Sequence, residues 1–184
     1  KRIRFRGDWR NASGNFRDLF RETFGGGYNV TMSGGFDFEG APASSMFFLT
    51  FRDCSNLTGS IPSGLFGDIS GAPAFFMFYG TFYNCSNLTG PIPSGLFGDI
   101  SGSPAPQMFC YTFGNCSNLT GSIPVGLFGD ISGSPAPQMF NGTFNGCGKL
   151  TGESALMPDG TTHLYEKFPT ASGNQCDNCY LGAT

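Results

Sequence analysis

Hydrophobic positions return along this chain at a fixed spacing of 31 residues. Three such columns are Met46, Met77, Met108 and Met139; Phe51, Phe82, Phe113 and Phe144; and Cys54, Cys85, Cys116 and Cys147. A period of this length is typical of a solenoid, in which each coil buries its apolar face only against its neighbours. Because the coils are nearly identical, the period predicts architecture and says little about chemistry.

The hydrophobic spacing changes within one repeat. From Met46 the apolar residues follow at i, i+1, i+4, i+5 and i+8, which predicts a short helix. Residues 57–61 alternate with a period of two and predict a strand that ends at Pro62. Residues 64–70 predict a second short helical or 3₁₀ turn. Stacked repeats would then form a narrow parallel sheet.

The repeat register also divides the chain. Full coils cover residues 46–76, 77–107 and 108–138, a partial coil covers 139–152, and residues 15–45 form a diverged first coil. Residues 2–6 alternate basic and apolar side chains, so residues 1–14 are predicted to form an N-terminal cap strand. The period fails after Gly152, so residues 153–184 are interpreted as a C-terminal cap. We therefore expect one solenoid over residues 15–152 between two caps.

Composition narrows the classes of protein. The chain of 184 residues has 29 Gly and 12 Pro, but also 21 Phe, so it is expected to fold rather than stay disordered. Seven of its ten basic residues lie in the first 21 positions, and none lies between Ser55 and Gly148. We expect no nucleic-acid partner, because a phosphate backbone requires clustered positive charge.

Membrane and targeting signals are weak. The longest wholly apolar run is residues 74–78, so no membrane-spanning segment is predicted. No signal peptide is visible and position 1 is Lys, so the chain is interpreted as a mature or excised piece. The missing signal is therefore no argument for a cytoplasmic location.

One repeat family shares the constant positions. The spacing Phe51-x-x-Cys54-x-x-Leu57 followed by Ile61-Pro62 resembles the BspA-type leucine-rich repeat of bacterial and protozoan surface proteins. Residues 57–62 are also similar to the LTGxIP segment of plant-type leucine-rich repeats. The resemblance covers residues 15–152, although the 31-residue unit exceeds the usual length of about 20–29 residues through its GDISGSPAPQ insertion.

The resemblance implies an α/β repeat solenoid of leucine-rich-repeat-like coils. Such coils place a narrow parallel sheet on one side, short helices on the opposite side and caps at the ends. It also implies a binding scaffold or adhesin rather than an enzyme, with no catalytic residues to assign. The chain offers few groups for acid–base chemistry, since it has one histidine, His163, outside the repeats.

The cysteines suggest structure more than reactivity. Cys54, Cys85, Cys116 and Cys147 are predicted to form a buried ladder of free thiols, with disulfide or metal binding as alternatives. Cys110 is expected to be an incidental, partly exposed thiol. Cys176 and Cys179 have the spacing of a zinc half-site or redox pair, but a local disulfide is favoured. No metal or cofactor is predicted.

Polar columns accompany the apolar ones. Eight Asn-x-Ser/Thr sites are candidates for glycosylation: Asn11, Asn29, Asn56, Asn84, Asn87, Asn115, Asn118 and Asn141. The alternative is an asparagine ladder bonded to neighbouring backbone. Asp68, Asp99 and Asp130 are expected to cap helices or to form hydrogen bonds within turns rather than to bind calcium. The threonine row that starts at Thr58 leaves ice binding as a remote alternative.

The positions at which the repeats differ are the candidates for selective recognition. We expect a recognition surface at Phe75, Phe76, Tyr79, Tyr83 and Tyr111, unless these side chains only fill weakly constrained solvent-facing positions. The predicted function is a non-enzymatic extracellular or cell-surface scaffold for adhesion to a protein or glycan. The alternative is a structural subunit that joins copies of itself end to end into an extracellular fibre, in which KRIRFR adds a strand to the preceding subunit.

Overall fold

The structure is a computed structural model, and it describes residues 30–32, 35, 39–169 and 180. The predicted N-terminal cap strand, most of the first coil, Asn11, Asn29, Cys176 and Cys179 lie outside the described residues. Within them are eight short strands and one helix: β1 Val30–Thr31, β2 Glu39–Gly40, β3 Leu57–Thr58, β4 Asp68–Gly71, β5 Asp99–Gly102, β6 Gly121–Ser122, β7 Asp130–Ile131, β8 Leu150–Thr151 and α1 Leu164–Lys167.

The Leu-Thr-Gly segments of successive repeats pair in parallel. Strand β1 pairs with β3 and β6 pairs with β8, while the bridges Gly59–Leu88 and Gly90–Leu119 connect the repeats between them. The strand predicted from Leu57 is present, but β3 is only two residues long. Gly59 follows with a φ of 81°, which ends the extended conformation.

A second parallel sheet lies where a helical turn was predicted. Strands β2, β4, β5 and β7 pair in that order, with Ser70 opposite Asp99 and Ser101 opposite Asp130. The helical or 3₁₀ interpretation of residues 64–70 is therefore wrong for its second half. Glycine allows the backbones of neighbouring repeats to approach closely enough to pair as strands. A Cβ on Gly98 would lie only 2.2 Å from the Ile69 carbonyl oxygen.

The segment that starts at Met46 is not a helix, so the prediction of a short helix there is wrong. Residues 45–54 and their equivalents 76–85, 107–116 and 138–147 form what we call the turn ladder. Its backbone N–H groups alternate between two kinds of partner. Met46, Phe48, Thr50, Arg52 and Cys54 donate to the carbonyl three residues earlier.

The intervening residues of the turn ladder bond to the next repeat. Ser45, Phe47, Leu49, Phe51 and Asp53 donate to carbonyls 30 residues further on, each at 2.8 Å. Every fourth residue also has a positive φ, with values of 57° at Ser45, 53° at Leu49 and 59° at Asp53. Left-handed residues at this frequency exclude an α-helix, and the inter-repeat bonds offset their conformational cost.

Stacked phenylalanines form the centre of the core. Rings of adjacent repeats lie 5.2–5.7 Å apart and within 7° of parallel in two columns. A third column packs tilted against both of them, as in the 4.6 Å contact of Phe66 with Phe47. The columns are Phe47, Phe78, Phe109 and Phe140; Phe51, Phe82, Phe113 and Phe144; and Phe66, Phe97 and Phe128. Aromatic pairs of this kind contribute about 0.5–1.5 kcal/mol each beyond the area they bury.

Buried hydroxyls connect the repeats within this core. Thr50, Thr81, Thr112 and Thr143 are fully buried. The hydroxyl of Thr112 lies 2.9 Å from the carbonyl oxygen of Phe78 in the preceding repeat and 2.7 Å from that of Phe109 in its own. Each such contact satisfies a polar group that would be costly to bury alone.

Aromatic residues of the C-terminal segment cover the last repeat. The Tyr180 ring stacks on Phe144 at 5.7 Å, and Phe168, which directly follows α1, packs near Phe140 at 6.4 Å. The hydroxyl of Tyr180 also accepts a hydrogen bond from the Ala155 N–H at 2.9 Å. These contacts close two of the three phenylalanine columns at this end.

Candidate functional site

A continuous cluster of aromatic side chains lies along the turn ladder. We call it the aromatic patch, and it consists of Phe48, Phe75, Phe76, Tyr79, Tyr83 and Tyr111. Phe48 stacks on Tyr79 at 5.0 Å, Phe76 meets Tyr79 edge to face at 5.3 Å, and Tyr83 meets Tyr111 edge to face at 5.9 Å. Phe75 is 44% exposed and the other members are half-buried. The structure thus brings the five predicted recognition residues together and adds Phe48.

In the column that contains patch residue Tyr111, large side chains lie against glycines of the next repeat. A Cβ on Gly80 would lie 2.5 Å from Leu49 Cδ2, and a Cβ on Gly142 would lie 2.3 Å from Tyr111 Cε1. Large side chains and glycines therefore alternate along this column. These contacts do not test the alternative that the variable positions only fill weakly constrained solvent-facing sites, and the recognition surface stays a prediction.

The side chain of Arg52 borders the patch. Arg52 Nε lies 3.0 Å from Asp53 Oδ2, and the guanidinium carbon lies 5.5 Å from the centre of the Tyr83 ring. Burial, with smaller contributions from Cys110 and Tyr111, raises the pKa of the Tyr79 hydroxyl. The phenol therefore stays protonated and keeps its ability to donate a hydrogen bond.

A polar groove runs beside the aromatic patch. It has a volume of about 580 Å³ and is lined by Asp53, Ser55, Asn84, Ser86, Asn115, Ser117 and Gly146. Asn84 Nδ2 donates to Asp53 Oδ1 at 2.8 Å, and Asn115 Nδ2 donates to Asn84 Oδ1 at 2.9 Å. Asn115 Nδ2 also lies 3.4 Å from the Tyr83 hydroxyl, which places the groove and the patch side by side.

The other asparagine column bonds to backbone. Asn87 Nδ2 donates to the Ser55 carbonyl at 2.6 Å, and Asn118 Nδ2 donates to the Ser86 carbonyl at 2.8 Å. Asn87 and Asn115 are exposed, whereas the other candidate glycosylation sites among the described residues, Asn56, Asn84, Asn118 and Asn141, are half-buried. Glycosylation at these sites stays a prediction.

The cysteine column lies in the core. Cys54, Cys85, Cys116 and Cys147 are fully buried free thiols. The thiol of Cys116 donates to the Phe82 carbonyl at 3.1 Å, and Cys85 and Cys147 make the equivalent bonds. Burial raises the pKa of Cys116 well above its ordinary value and that of Cys147 to about 12.

The expectation of a partly exposed Cys110 is wrong. Its side chain is only 2% exposed, and burial raises the pKa of the thiol to about 12. The equivalent positions hold Phe48, Tyr79 and Asn141, which reach further outward and are half-buried. The shorter thiol does not extend to the surface.

The structure also brings together a serine and the histidine, which the sequence analysis did not connect. Ser154 Oγ lies 2.8 Å from His163 Nδ1, and Glu153 Oε2 lies 3.8 Å from His163 Nε2. A catalytic serine and base would need an oriented third group, but the Glu153 side chain is 78% exposed. The backbone N–H of His163 donates to Glu166 Oε2 at 2.9 Å in a capping box at the start of α1, so this cluster stabilises the C-terminal segment.

The described residues show neither a metal-binding cluster nor a membrane-spanning helix. They contain no group of three or more His, Cys, Asp or Glu side chains that could hold a metal ion. No helix among them is long and apolar enough to cross a bilayer. Comparison of the chain with protein-family models, curated proteins and solved structures gives no match. The resemblance to leucine-rich repeats therefore stays a prediction.

Proposed function

We propose that this chain is a leucine-rich-repeat-like solenoid that acts as a non-enzymatic binding scaffold outside the cell or at its surface. Its aromatic patch contacts a protein or glycan partner in adhesion. The observation that carries this proposal is the contiguity of six aromatic side chains around Phe75, which exposes 44% of its surface.

The chemistry of the patch supports a binding role. Aromatic residues and arginine dominate the energetics of protein interfaces, and here Arg52 lies at the edge of the patch. The turn ladder below fixes the backbone through bonds to the next repeat, such as the 2.8 Å bond from Gly80 N–H to the Cys110 carbonyl. A partner would therefore meet side chains that are already in place, which lowers the entropic cost of binding.

The fibre alternative is less well supported. End-to-end joining requires an open last repeat, but Tyr180 covers Phe144 and Phe168 packs near Phe140. A following subunit would have to displace these rings. The proposed strand-adding segment, KRIRFR, lies outside the described residues.

The repeats themselves supply the test variant. Phe75→Pro, Phe76→Gln and Tyr79→Asn together install residues found at equivalent positions of later repeats, Pro106, Gln107 and Asn141. Phe76 and Gln107 share a left-handed φ of 56° and 55°, so the backbone accepts the exchange. We expect the triple variant to keep its circular dichroism spectrum and to lose at least about tenfold in affinity for any ligand found on arrays of glycans and extracellular matrix proteins.

A matched control lies elsewhere on the surface. Val125→Ser replaces another exposed hydrophobic residue, 54% exposed, by the serine of positions 63 and 94. It should leave binding unchanged. Unchanged binding by the triple variant, or the absence of any ligand for the wild-type chain, would overturn the proposal.

A further inference from the structure

The polar groove carries hydrogen-bonding groups that the fold itself does not use. Among the described residues, none forms a hydrogen bond with the hydroxyls of Ser55, Ser86 and Ser117. The three hydroxyls recur once per repeat along the groove, next to the column of Asp53, Asn84 and Asn115 side chains. Each can both donate and accept a hydrogen bond.

The amide column in the groove ends in a free acceptor. The side-chain amide of Asn115 donates to Asn84, and that of Asn84 donates to Asp53. No described residue donates to Asn115 Oδ1. The next position in the column is Gly146, where a Cβ would lie 2.5 Å from that oxygen. The missing side chain leaves space beside an exposed carbonyl group.

The groove is also held in one conformation. Asn84 and Asn115 have φ values of 62° and 60°, and their N–H groups bond to Gly114 and Asn145 of the following repeat at 2.8 and 2.6 Å. Asparagine tolerates this left-handed conformation better than most residues. The side chains are therefore positioned before any ligand arrives.

The hydroxyl of Tyr83 borders the groove. The Tyr83 hydroxyl lies 3.4 Å from Asn115 Nδ2, and the Tyr83 ring lies edge to face with Tyr111. The Arg52 guanidinium carbon lies 5.5 Å from the centre of this ring, and a Cβ on Gly114 would lie 2.8 Å from the ring on the side of the next repeat, so Tyr83 offers its hydroxyl rather than a ring face. Hydroxyl and amide groups side by side match the hydroxyls of a carbohydrate.

Charge argues for a neutral ligand. Between Ser55 and Gly148 the chain has no lysine or arginine. Arg52 is paired with Asp53 at 3.0 Å, and Lys149 Nζ donates to Asn118 Oδ1 at 2.5 Å. Among the described residues no lysine or arginine lines the groove, which therefore offers no cation of its own lining to a phosphate, sulfate or sialic acid.

The repeat spacing matches an extended sugar chain. Phenylalanine rings of neighbouring repeats lie 5.2–5.7 Å apart. This is close to the length that one hexose residue adds to an extended β-1,4-linked chain. Successive sugars lying along the amide column would each meet one hydroxyl and one amide or carboxylate of a different repeat.

We propose that the polar groove binds a neutral β-1,4-linked oligosaccharide, with Ser55, Ser86, Ser117 and Asn115 Oδ1 as hydrogen-bonding groups and the Tyr83 hydroxyl at its edge. This inference rests on the proposed binding function and specifies the ligand class for the groove beside the patch. Calorimetric titration with cellohexaose and with chitohexaose tests it. At least one of them should bind, and maltohexaose, which is α-linked and curved, should bind at least about tenfold more weakly.

Two groove variants locate the site. Asn115→Gly keeps the left-handed backbone, since the equivalent position is already Gly146, and removes the terminal acceptor. Ser117→Ala removes one hydroxyl, and Ser101→Ala makes the same change on an exposed part of β5 outside the groove. We expect an affinity loss of about tenfold for each groove variant and none for Ser101→Ala.

The outcomes separate this inference from the proposed function. If neither β-linked hexasaccharide binds, if maltohexaose binds equally well, or if Asn115→Gly and Ser117→Ala bind like wild type, the groove proposal is overturned. The proposed function still stands in that case if the triple patch variant loses an array ligand. If the patch variant also binds normally, both proposals fail.

Discussion

The phenol ring of Tyr111 occupies the space that a side chain on Gly142 of the next repeat would need. A Cβ built on Gly142 would lie 2.3 Å from Tyr111 Cε1 and 2.5 Å from Cδ1. The same relationship joins Tyr83 to Gly114, where the separation would be 2.8 Å. Differences between repeats are therefore coupled in pairs, a large residue in one repeat requiring glycine in the next.

Gly142→Ala should destabilise the protein through this contact. Alanine at a φ of 61° carries the cost of a left-handed conformation, about 1–2 kcal/mol, and the contact with Tyr111 adds about 1–3 kcal/mol of overpacking. Urea denaturation measures the sum. Gly95→Ala is the matched control, because its φ is 66° and nothing lies within 4 Å of the added Cβ.

A double-mutant cycle isolates the contact. In a Tyr111→Gly background the ring is gone, so Gly142→Ala should cost no more than Gly95→Ala does. Equal costs of Gly142→Ala in the wild-type and Tyr111→Gly backgrounds would contradict the pairing of these two positions.

Gly129→Ala should lower the free energy of unfolding more than Gly142→Ala or Gly95→Ala does, because the atom nearest to the added Cβ belongs to the backbone rather than to a side chain. A Cβ on Gly129 would lie 2.0 Å from the carbonyl oxygen of Ile100 in the preceding repeat. The pairing of β5 with β7 would have to open to make room. We expect a loss above about 4 kcal/mol or failure to fold, measured by thermal and urea denaturation.

Gly133→Ala provides the comparison within the same repeat. Its φ of 98° is also positive, but the nearest atom to an added Cβ is Ser103 Oγ at 3.5 Å. Backbone strain alone should therefore account for its smaller loss. Equal losses of stability in Gly129→Ala and Gly133→Ala would contradict the role of the close contact between Gly129 and the Ile100 carbonyl.

Sequence patterns predicted the repeat spacing of the core but not the structure of the Met46 segment. Its apolar residues recur at intervals of four, which is close to the 3.6-residue period of a helix. A ladder of turns with one left-handed residue in four produces nearly the same pattern. Hydrogen bonds such as that from Phe47 to the Met77 carbonyl decide between the two, and they are formed between repeats.

The aromatic patch and the polar groove differ in how far the sequence alone could predict them. The aromatic patch could be predicted because its members occupy positions at which the repeats differ, although Phe48 and Arg52 were missed. The polar groove was missed because Ser55, Ser86 and Ser117 belong to the constant part of the repeat. Their significance depends on unused hydroxyls, which only a three-dimensional structure reveals.

Because of its buried thiols, the protein should lose stability at alkaline pH. Burial raises the pKa of Cys110 and Cys147 to about 12 in the folded protein, whereas the unfolded thiols ionise near their ordinary value of about 8.5. The folded state holds these protons more tightly, so its stability is complete below the unfolded pKa and falls as pH rises towards the folded one. Urea denaturation should show this loss beginning above about pH 8.5.

Cys110→Ala tests the contribution of one thiol. The variant should be less stable at neutral pH, but its stability should decline less steeply with rising pH than that of the wild-type chain, since one titrating group is gone. Identical slopes would show that Cys110 does not hold its proton more tightly in the folded state.

Tyr180→Phe should weaken the closure of the last repeat without removing its packing. The phenylalanine keeps the ring that stacks on Phe144 at 5.7 Å but cannot accept the 2.9 Å hydrogen bond from Ala155 N–H, a residue only 1% exposed. An unsatisfied buried N–H costs about 1–3 kcal/mol, and hydrogen exchange at Ala155 should accelerate accordingly. Tyr165→Phe makes the same change at a tyrosine that is 51% exposed, and it should stay within about 0.5 kcal/mol of wild type. Equal effects of the two variants would mean that the Tyr180 hydroxyl does not stabilise the C-terminal segment.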